Sequence, residues 1–262
     1  MVIALLWFKL NWSNKFVLLI EYDGTRYHGF QWQRGVPTVQ GELEGAIRKV
    51  CGQSSRVLAA SRTDAGVHAK GQVVSFWTQS ALDSMTLVKA LNYYLPKDIA
   101  VKAASKVDAE FSVQRDAISR EYRYYILNTS TPSPFGYRFA LLVSRALDLE
   151  PMKKACQLLI GEHDFTSFTT SVAGKKGAIR HVYDAGIERK GELVIFRMVA
   201  NSFLTHQVRS TVGLLMRLGL GQLCINDFCD IMAARKLGLA GPIAAAHGLY
   251  LMKVRYSKPW IN

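Results

Sequence analysis

The sequence predicts an α+β protein made of two halves that share one topology, each with the β-α-β-β-α-β order of the ferredoxin-like arrangement. Alternating apolar segments typical of strands are interleaved with apolar residues at helical spacing, and their order in the first half repeats in the second. Hydrophobic residues make up 49% of the 262 residues and charged residues 20%, which suits a packed core. We expect antiparallel or mixed sheets and a central catalytic cleft, because clefts between domains favour ligands.

The first half covers residues 15–110, after an N-terminal extension at 1–14. In chain order we expect a strand at 16–22, a helix through Val39, Leu43, Ile47 and Val50, strands at 56–60 and 72–78, a helix marked by Met85, Val88 and Leu91, and a strand at 99–107. Asp23-Gly24 is a turn signal after the first strand. Gly52 and Pro96 predict the ends of the two helices.

The second half covers residues 111–262, with the boundary falling near 108–119. We expect strands at 119–128, 179–189, 193–200 and 249–256, a helix through Met152, Ala155 and Leu159, and helices at 202–218 and 227–237. Pro151 opens the first of these helices and Gly161 stops it, while Ser202 is the expected N-cap of the next. The stretches 130–146 and 162–177 carry no predicted element.

A net charge of +13 predicts a polyanionic partner, most simply a nucleic acid, with an acidic membrane surface as the weaker alternative. Four cysteines without a C-x-x-C pair indicate reduced, mostly buried thiols in a cytoplasmic protein. The scattered histidines predict no metal site. The apolar N-terminus lacks the features of a signal peptide and is too short to span a membrane. The basic loop 174–177 is either solvated or a phosphate contact.

The segment Ser61-Arg62-Thr63-Asp64-Ala65-Gly66-Val67-His68 sets a carboxylate beside an arginine in an otherwise basic protein. Small residues after Asp64 allow a tight turn, and a predicted strand follows at once. An Asp on a loop held by a strand is well placed for chemistry. The alternative is that Asp64 caps a turn through its side chain, since Asp is a common turn residue.

Three other segments carry cations together with aromatic residues or with a glycine. His206, Arg209, Gly213 and Arg217 share one face of a predicted helix, and the gap at Gly213 lets this face approach another backbone closely. The face is either solvated and cationic or pairs Arg209 with a carboxylate across the cleft. The strand 120–125 places Tyr122 and Tyr124 on one face and Arg123 and Tyr125 on the other. One face must be core, so at least one tyrosine is structural, and a tyrosine at the cleft edge could stack on a base or relay a proton. Arg26, Tyr27 and His28 lie near a turn and could touch RNA.

These segments together resemble the tRNA pseudouridine synthase A family over nearly the whole chain, from about residue 15 to 256. The matching runs are Glu21-Tyr22-Asp23-Gly24, Arg62-Thr63-Asp64-Ala65-Gly66-Val67-His68, Gly71-Gln72-Val73-Val74, Tyr122-Arg123-Tyr124, Gly161-Glu162-His163-Asp164-Phe165-Thr166-Ser167-Phe168, Val208-Arg209 and Gly248-Leu249-Tyr250-Leu251. The R-T-D-A-G-V-H run is very specific. The resemblance implies an isomerase that converts uridine to pseudouridine at positions 38–40 of the tRNA anticodon arm.

The resemblance also implies residue roles. Asp64 is the essential carboxylate, Arg209 pairs with it, and Tyr122 lies against the uracil and takes part in proton transfer at C5. Arg62 holds the extruded nucleotide or fills its space. Further candidates for RNA contact are Arg26, Tyr27, His68, Lys70, His206 and Arg217. The family needs no cofactor or metal and acts on tRNA as a homodimer, so we expect neither a cofactor nor a membrane partner.

The chain departs from the family pattern at Ser61, at Phe111-Ser112-Val113-Gln114, at Gln207 and at Ala246-His247. None of these positions is Asp64, Tyr122 or Arg209, so we expect an active enzyme. Two other classes compete with this interpretation. A non-catalytic RNA-binding protein of the RRM type should carry an aromatic RNP run, which is missing. A hydrolase with an Asp nucleophile should carry a second carboxylate or a metal site near Asp64.

Overall fold

A computed structural model describes residues 14–171, 177–257 and 260. Asn14 begins the first strand, and the rest of the expected N-terminal extension lies outside the described residues. The described chain divides into two compact units. Unit one holds the described part of Met1–Ile118 and of Met252–Asn262, and unit two is Ser119–Leu251. The domain ranges expected from the sequence, and the cleft between them, stay predictions.

Unit one has the β-α-β-β-α-β order that the sequence predicts. Its elements are β1 (Asn14–Tyr22), α1 (Val39–Cys51), β2 (Leu58–Ala59), β3 (His68–Thr78), α2 (Ser84–Tyr94) and β4 (Ile99–Val107). Strand β1 is central and pairs antiparallel with β3 and β4, and the short β2 pairs antiparallel with β3. Phe16 and Phe76 stack across the β1–β3 pair, with ring centroids 6.1 Å apart, in the core of this unit.

Local sequence explains where the helices of unit one begin and end. The side chain of Thr38 accepts from a backbone N–H of the first turn of α1, and Gly52 ends that helix in the left-handed conformation, with φ 71°. Asp83 caps α2 in the same way as Thr38 caps α1. The expected buried face of α2 was wrong in one position. Met85 is exposed, and Leu87 packs in the core instead.

Unit two repeats the order and adds further elements. In chain order the strands and helices of this half are β5 (Ala117–Leu127), β6 (Leu141–Leu142), α3 (Leu149–Leu158), β7 (Gly161–Asp164), β8 (Ile179–Lys190), β9 (Leu193–Ala200), α4 (Gln207–Gly219), α5 (Ile225–Ala233) and β10 (Leu249–Tyr256). Strand β9 pairs antiparallel with β5 and β8, and β7 pairs antiparallel with β8. Two strands, β6 and β7, lie where no element was predicted.

The start of α4 was predicted five residues too early. His206 precedes the helix with φ 63°, a left-handed conformation that cannot belong to a right-handed helix. Ser202, the expected N-cap, instead donates its N–H to the side-chain oxygen of Asn201 at 2.8 Å. The stop predicted for α3 was also misassigned, because Gly161 begins β7. Residues 172–176 lie outside the described residues, and they include positions 174–176 of the basic loop.

Candidate active site

Asp64 lies on the loop between β2 and β3, and hydrogen bonds fix the backbone on both sides of it. The carbonyl of Thr63 accepts from the N–H of Phe30 at 3.0 Å, and its hydroxyl lies 2.7 Å from the phenol oxygen of Tyr22. On the other side, the N–H of Val67 donates to the carbonyl of Asp64 at 3.2 Å. The half-buried carboxylate therefore stands on a turn that is held in place.

Glycines let two stretches of backbone approach this loop closely. Gly29 has φ 91°, and a Cβ there would lie 2.9 Å from the Thr63 carbonyl oxygen. Gly24 packs so tightly on Val67 that a Cβ would overlap the carbonyl group. Gly66, in the turn itself, has φ 76°. The tight turn expected after Asp64 is confirmed, and the segment 24–29 supports it from outside.

Sequence reasoning overlooked Gln72 as part of this support. Its buried side-chain amide donates to the carbonyl of Ser61 at 2.6 Å, and its oxygen accepts from the N–H of Ser61 at 3.4 Å. Among the described residues only His206 and Arg235 combine a side chain with positive φ. Ser61 therefore has a negative φ, which any residue with a side chain can adopt. The available signal in the sequence was a polar residue, Gln72, at the start of an apolar run in a predicted strand.

Arg26 and Tyr27 form a cluster with Asp98. The guanidinium of Arg26 contacts the Asp98 carboxylate and donates to the Tyr27 hydroxyl at 2.8 Å, and that hydroxyl donates to Asp98 at 2.6 Å. Burial and the neighbouring Asp98 raise the pKa of Tyr27. Burial alone would raise the pKa of Asp98, but the hydrogen bonds from Arg26 and Tyr27 lower it. Tyr27 is 2% exposed, which favours a positioning role.

The remaining candidates of unit one differ in exposure. Arg62 and Lys70 are exposed on either side of the Asp64 loop, as RNA contacts require. His68 is 1% exposed, and its Nδ1 accepts from the N–H of Gly24 at 3.1 Å. His68 therefore ties the start of β3 to the segment that supports the loop.

Tyr122 and Tyr124 lie on the same face of β5 in unit two, opposite Met198 and Phe196 of β9. The ring of Tyr122 meets the ring of Phe203 edge to face, with centroids 5.0 Å apart. The hydroxyl of Tyr124 donates to a backbone carbonyl at 2.8 Å. Burial raises the pKa of Tyr124. Tyr124 is therefore the structural tyrosine that the alternation required, and Tyr122 remains the candidate for chemistry.

The cationic face of α4 packs on the segment 241–244. Arg209 donates from Nε to the carbonyl of Ala244 at 2.7 Å, and Arg217 donates from Nη1 to the carbonyl of Gly241 at 3.1 Å. A Cβ on Gly213, between the two arginines, would overlap the carbonyl of Pro242. The expected close approach to another backbone is confirmed. The alternative of an ordinary solvated face is wrong for both arginines.

His206 does not belong to this face, because it precedes the helix. Its Nδ1 lies 3.0 Å from the hydroxyl of Thr170. Gln207 follows it and is fully buried, with its side-chain oxygen accepting from the N–H of Leu204 at 2.9 Å and its amide nitrogen without a hydrogen-bond partner. The departure at Gln207 therefore stabilises the turn that leads into α4.

At the departure near residue 112, the backbone is capped locally. The N–H of Ser112 donates to the Asp116 carboxylate at 2.8 Å, and Arg115 pairs with the same carboxylate at 2.9 Å.

Within the described residues no group of three or more His, Cys, Asp or Glu side chains could hold a metal ion. None of the helices described is long and apolar enough to cross a bilayer.

Known proteins are similar to this chain over most of its length. A family model described as tRNA pseudouridine synthase matches residues 18–114 and 155–257. Proteins called tRNA pseudouridine synthase A from three bacteria are similar to this chain. The Acetivibrio thermocellus protein is 40% identical, over 91% of this chain and 98% of its own length. The Roseiflexus castenholzii protein is 43% identical over 91% and 89%, and the Francisella tularensis subsp. novicida protein 37% over 93% and 94%.

A solved structure, titled as a Cbf5-Nop10-Gar1 complex, matches 77% of this chain and 44% of that chain at 13% identity with a TM-score of 0.33. A likeness at that score contributes nothing to the assignment. The family model and the relatives, which share more than a third of their residues with this chain across nearly its full length, are sufficient without it. The chain belongs to the tRNA pseudouridine synthase family.

Proposed function

We propose that this pseudouridine synthase acts on uridines at positions 38–40 of the tRNA anticodon arm, with Asp64 as its essential carboxylate. The reaction, isomerisation of uridine to pseudouridine in tRNA, follows from family membership. The observation that carries the residue assignment is the support of the Asp64 turn, whose flanking Thr63 is bonded to Phe30 and Tyr22. A carboxylate on such a turn can meet a substrate without reorganising.

The chemistry needs a nucleotide that has left the helical stack. The bond between N1 of uracil and C1′ breaks, the base rotates, C5 bonds to C1′, and the proton lost from C5 is balanced by one gained at N1. Because a stacked base cannot rotate, the uridine has to be flipped into the site. Asp64 attacks C1′ or C6, or removes a sugar proton, and each of these roles requires a carboxylate in contact with the nucleotide.

We assign Tyr122 to the proton transfer at C5 and Arg209 to the orientation of the catalytic carboxylate. A buried phenol whose ring is held by Phe203 can present its hydroxyl reproducibly to a base. The hydrogen bond from Arg209 to the Ala244 carbonyl limits the positions that its guanidinium can take.

For RNA binding we assign contact roles to the exposed Arg62 and Lys70. Arg26, Tyr27, His68, His206 and Arg217 are assigned supporting roles near the RNA, because each is bonded to protein groups. The net charge of +13 favours long-range attraction of the phosphate backbone. We further propose that the enzyme works in the cytoplasm as a homodimer. Light scattering on a sizing column measures the molar mass and so tests the dimer.

The deciding experiment maps pseudouridine by nucleotide in an unmodified tRNA transcript. Wild type, Asp64→Ala and Asp64→Asn are compared, with Asp230→Ala as the control at an exposed helix position. We expect product at positions 38–40 with wild type and with the control, and none with either Asp64 variant. Product at another position would refute the proposed target. Activity in Asp64→Asn would refute the role of the carboxylate, and tRNA binding without any product would favour a non-catalytic RNA-binding protein.

A further inference from the structure

Arg180 is a buried cation whose charge no described carboxylate compensates. It lies in β8 and is 8% exposed. Its Nη1 donates to the carbonyls of Ile179 at 2.6 Å and Gly177 at 3.2 Å, while its Nε is buried and has no hydrogen-bond partner. The ion pairs found among the described residues do not include it. The guanidinium is therefore anchored through one nitrogen, and its Nε edge is left without a protein acceptor.

The strand register places Arg180 on the face of the sheet that carries Tyr122. Val182 of β8 and Arg120 of β5 both pair with Ala200 of β9, so the three side chains point to one face. Arg180 precedes Val182 by two residues and Tyr122 follows Arg120 by two, so both share that face. Arg180 and Arg120 occupy the same end of the sheet of unit two.

Arg120 is a second cation at this end, 7% exposed, and one residue connects the two. Its Nη1 donates to the carbonyl of Asn201 at 2.6 Å, and the N–H of Asn201 donates to the carbonyl of His181, next to Arg180, at 3.0 Å. From Asn201 the chain runs directly to Phe203, whose ring contacts Tyr122. Both arginines thus lie next to the segment that holds the tyrosine assigned to the chemistry, Arg120 through its guanidinium and Arg180 through the neighbouring His181.

An uncompensated buried charge is costly in a folded protein, and an anion that meets it lowers that cost. Burial also lowers the pKa of Arg180, as expected of a cation without a counterion. We propose that Arg180, with Arg120 beside it, binds one phosphodiester of the RNA next to the nucleotide that reaches Tyr122. Arg180 keeps 8% of its surface exposed, and a guanidinium presents several N–H donors to the oxygens of one phosphate, which makes a phosphodiester the matching ligand.

This inference rests on the proposed function, because the anion is taken from the tRNA substrate. It adds a phosphate-binding residue in β8, in a stretch where the resemblance assigned no role. A merely structural Arg180 that closes the start of β8 through the Gly177 and Ile179 carbonyls is the alternative outcome. The two differ in one respect: only a phosphate contact makes the effect of Arg180 depend on a particular charge in the RNA.

The test combines Arg180 variants with synthetic anticodon stem-loop RNAs, each carrying a single uncharged methylphosphonate at one position. Dissociation constants are measured for wild type, Arg180→Lys and Arg180→Met with each RNA. We expect each variant to bind the unmodified RNA about 10- to 100-fold more weakly, the range for a lost charge-assisted contact. We also expect one methylphosphonate that weakens wild type by a similar factor and adds nothing in either variant.

Additive effects at every position would overturn the proposal. Arg189→Met is the matched control, because Arg189 is also in β8 but is exposed and donates to Asn128 and to the Leu147 carbonyl. Its effects should be additive throughout. Urea unfolding of each variant identifies loss of fold, and Arg180→Lys keeps the test available if Arg180→Met does not fold. Wild type that binds the RNA but makes no pseudouridine would refute the proposed function, while the binding cycle still decides the role of Arg180.

Discussion

The ring of Phe203 stands edge-on to the ring of Tyr122, with centroids 5.0 Å apart and planes at 83°. Phe203 precedes α4 and Tyr122 lies in β5, so the contact couples the turn before that helix to the sheet. Such pairs contribute about 1 kcal/mol beyond the area they bury. The contact also removes freedom from a phenol that is otherwise able to turn about its χ angles.

Phe203→Leu should therefore lower kcat by about 10-fold, because Leu retains apolar volume but presents no ring edge to Tyr122. KM should change little, and the free energy of unfolding should fall by about 1 kcal/mol. Single-turnover kinetics on a tRNA transcript and urea unfolding measure the two effects. Phe203→Tyr keeps the ring and should retain most of the rate. Equal rates in Phe203→Leu and wild type would mean that the ring contact is only structural.

Gly213→Ala should destabilise unit two by about 1 to 3 kcal/mol, because the new Cβ would overlap the Pro242 carbonyl and push α4 off the segment 241–244. Gly45 of α1 is the matched control, since a Cβ there meets nothing within 4 Å. Gly45→Ala should stabilise by about 1 kcal/mol through helix propensity. Urea unfolding compares the two, and similar values for both would refute the close contact.

The stability of the protein should depend on pH through Asp98. Its pKa is lowered in the folded state from the ordinary value of 3.8, so its contribution is present above that pH and is lost as the pH falls below it. Asp98→Asn removes the charge that Arg26 and Tyr27 bind. The variant should be less stable at neutral pH and should lose less stability than wild type on acidification. Parallel curves of unfolding free energy against pH would contradict this assignment.

The thiols should differ sharply in reactivity. Burial raises the pKa of Cys156 to about 12, whereas Cys224 and Cys229 are exposed, so the expectation of mostly buried thiols was wrong for these two. An aromatic disulfide reagent near pH 8 should label the exposed pair quickly and Cys156 only after unfolding. Mass spectrometry of digested protein assigns the sites. Rapid labelling of Cys156 in native protein would contradict its position in the core.

Most elements were predictable because their signals are local. The strand at 249–256 and the end of α1 at Gly52 follow from alternation, spacing and capping residues within a few positions. The start of α4 was not, because it depends on the left-handed His206 and on Asn201, whose side-chain oxygen also accepts from the N–H of His181 in β8 at 3.2 Å. Apolar periodicity extends through Phe203 and gives no sign of the interruption.

The residues of the candidate site likewise divide into those that the sequence predicted and those that it did not. Asp64 stands in a motif that is specific in itself, so the sequence alone singled it out. Arg180 was missed because its distinguishing property, a buried Nε without an acceptor, exists only once β8 has paired and buried it. Whether a buried charge has a counterion depends on residues that are distant in the sequence, and no rule based on spacing along the chain predicts it.

The last strand gives the protein an order of assembly. Residues 249–251 of β10 belong to unit two, whereas 252–256 return to unit one. On the ribosome, every residue of unit two has therefore been synthesised before the last strand segment of unit one exists. Because β10 lies next to β3 in the sheet, one edge of β3 stays unpaired until then, although unit one holds the Asp64 loop and is made first. Unit one, which carries Asp64, is thus the last to be completed, and the newborn chain acquires its full fold only when synthesis has passed Tyr256.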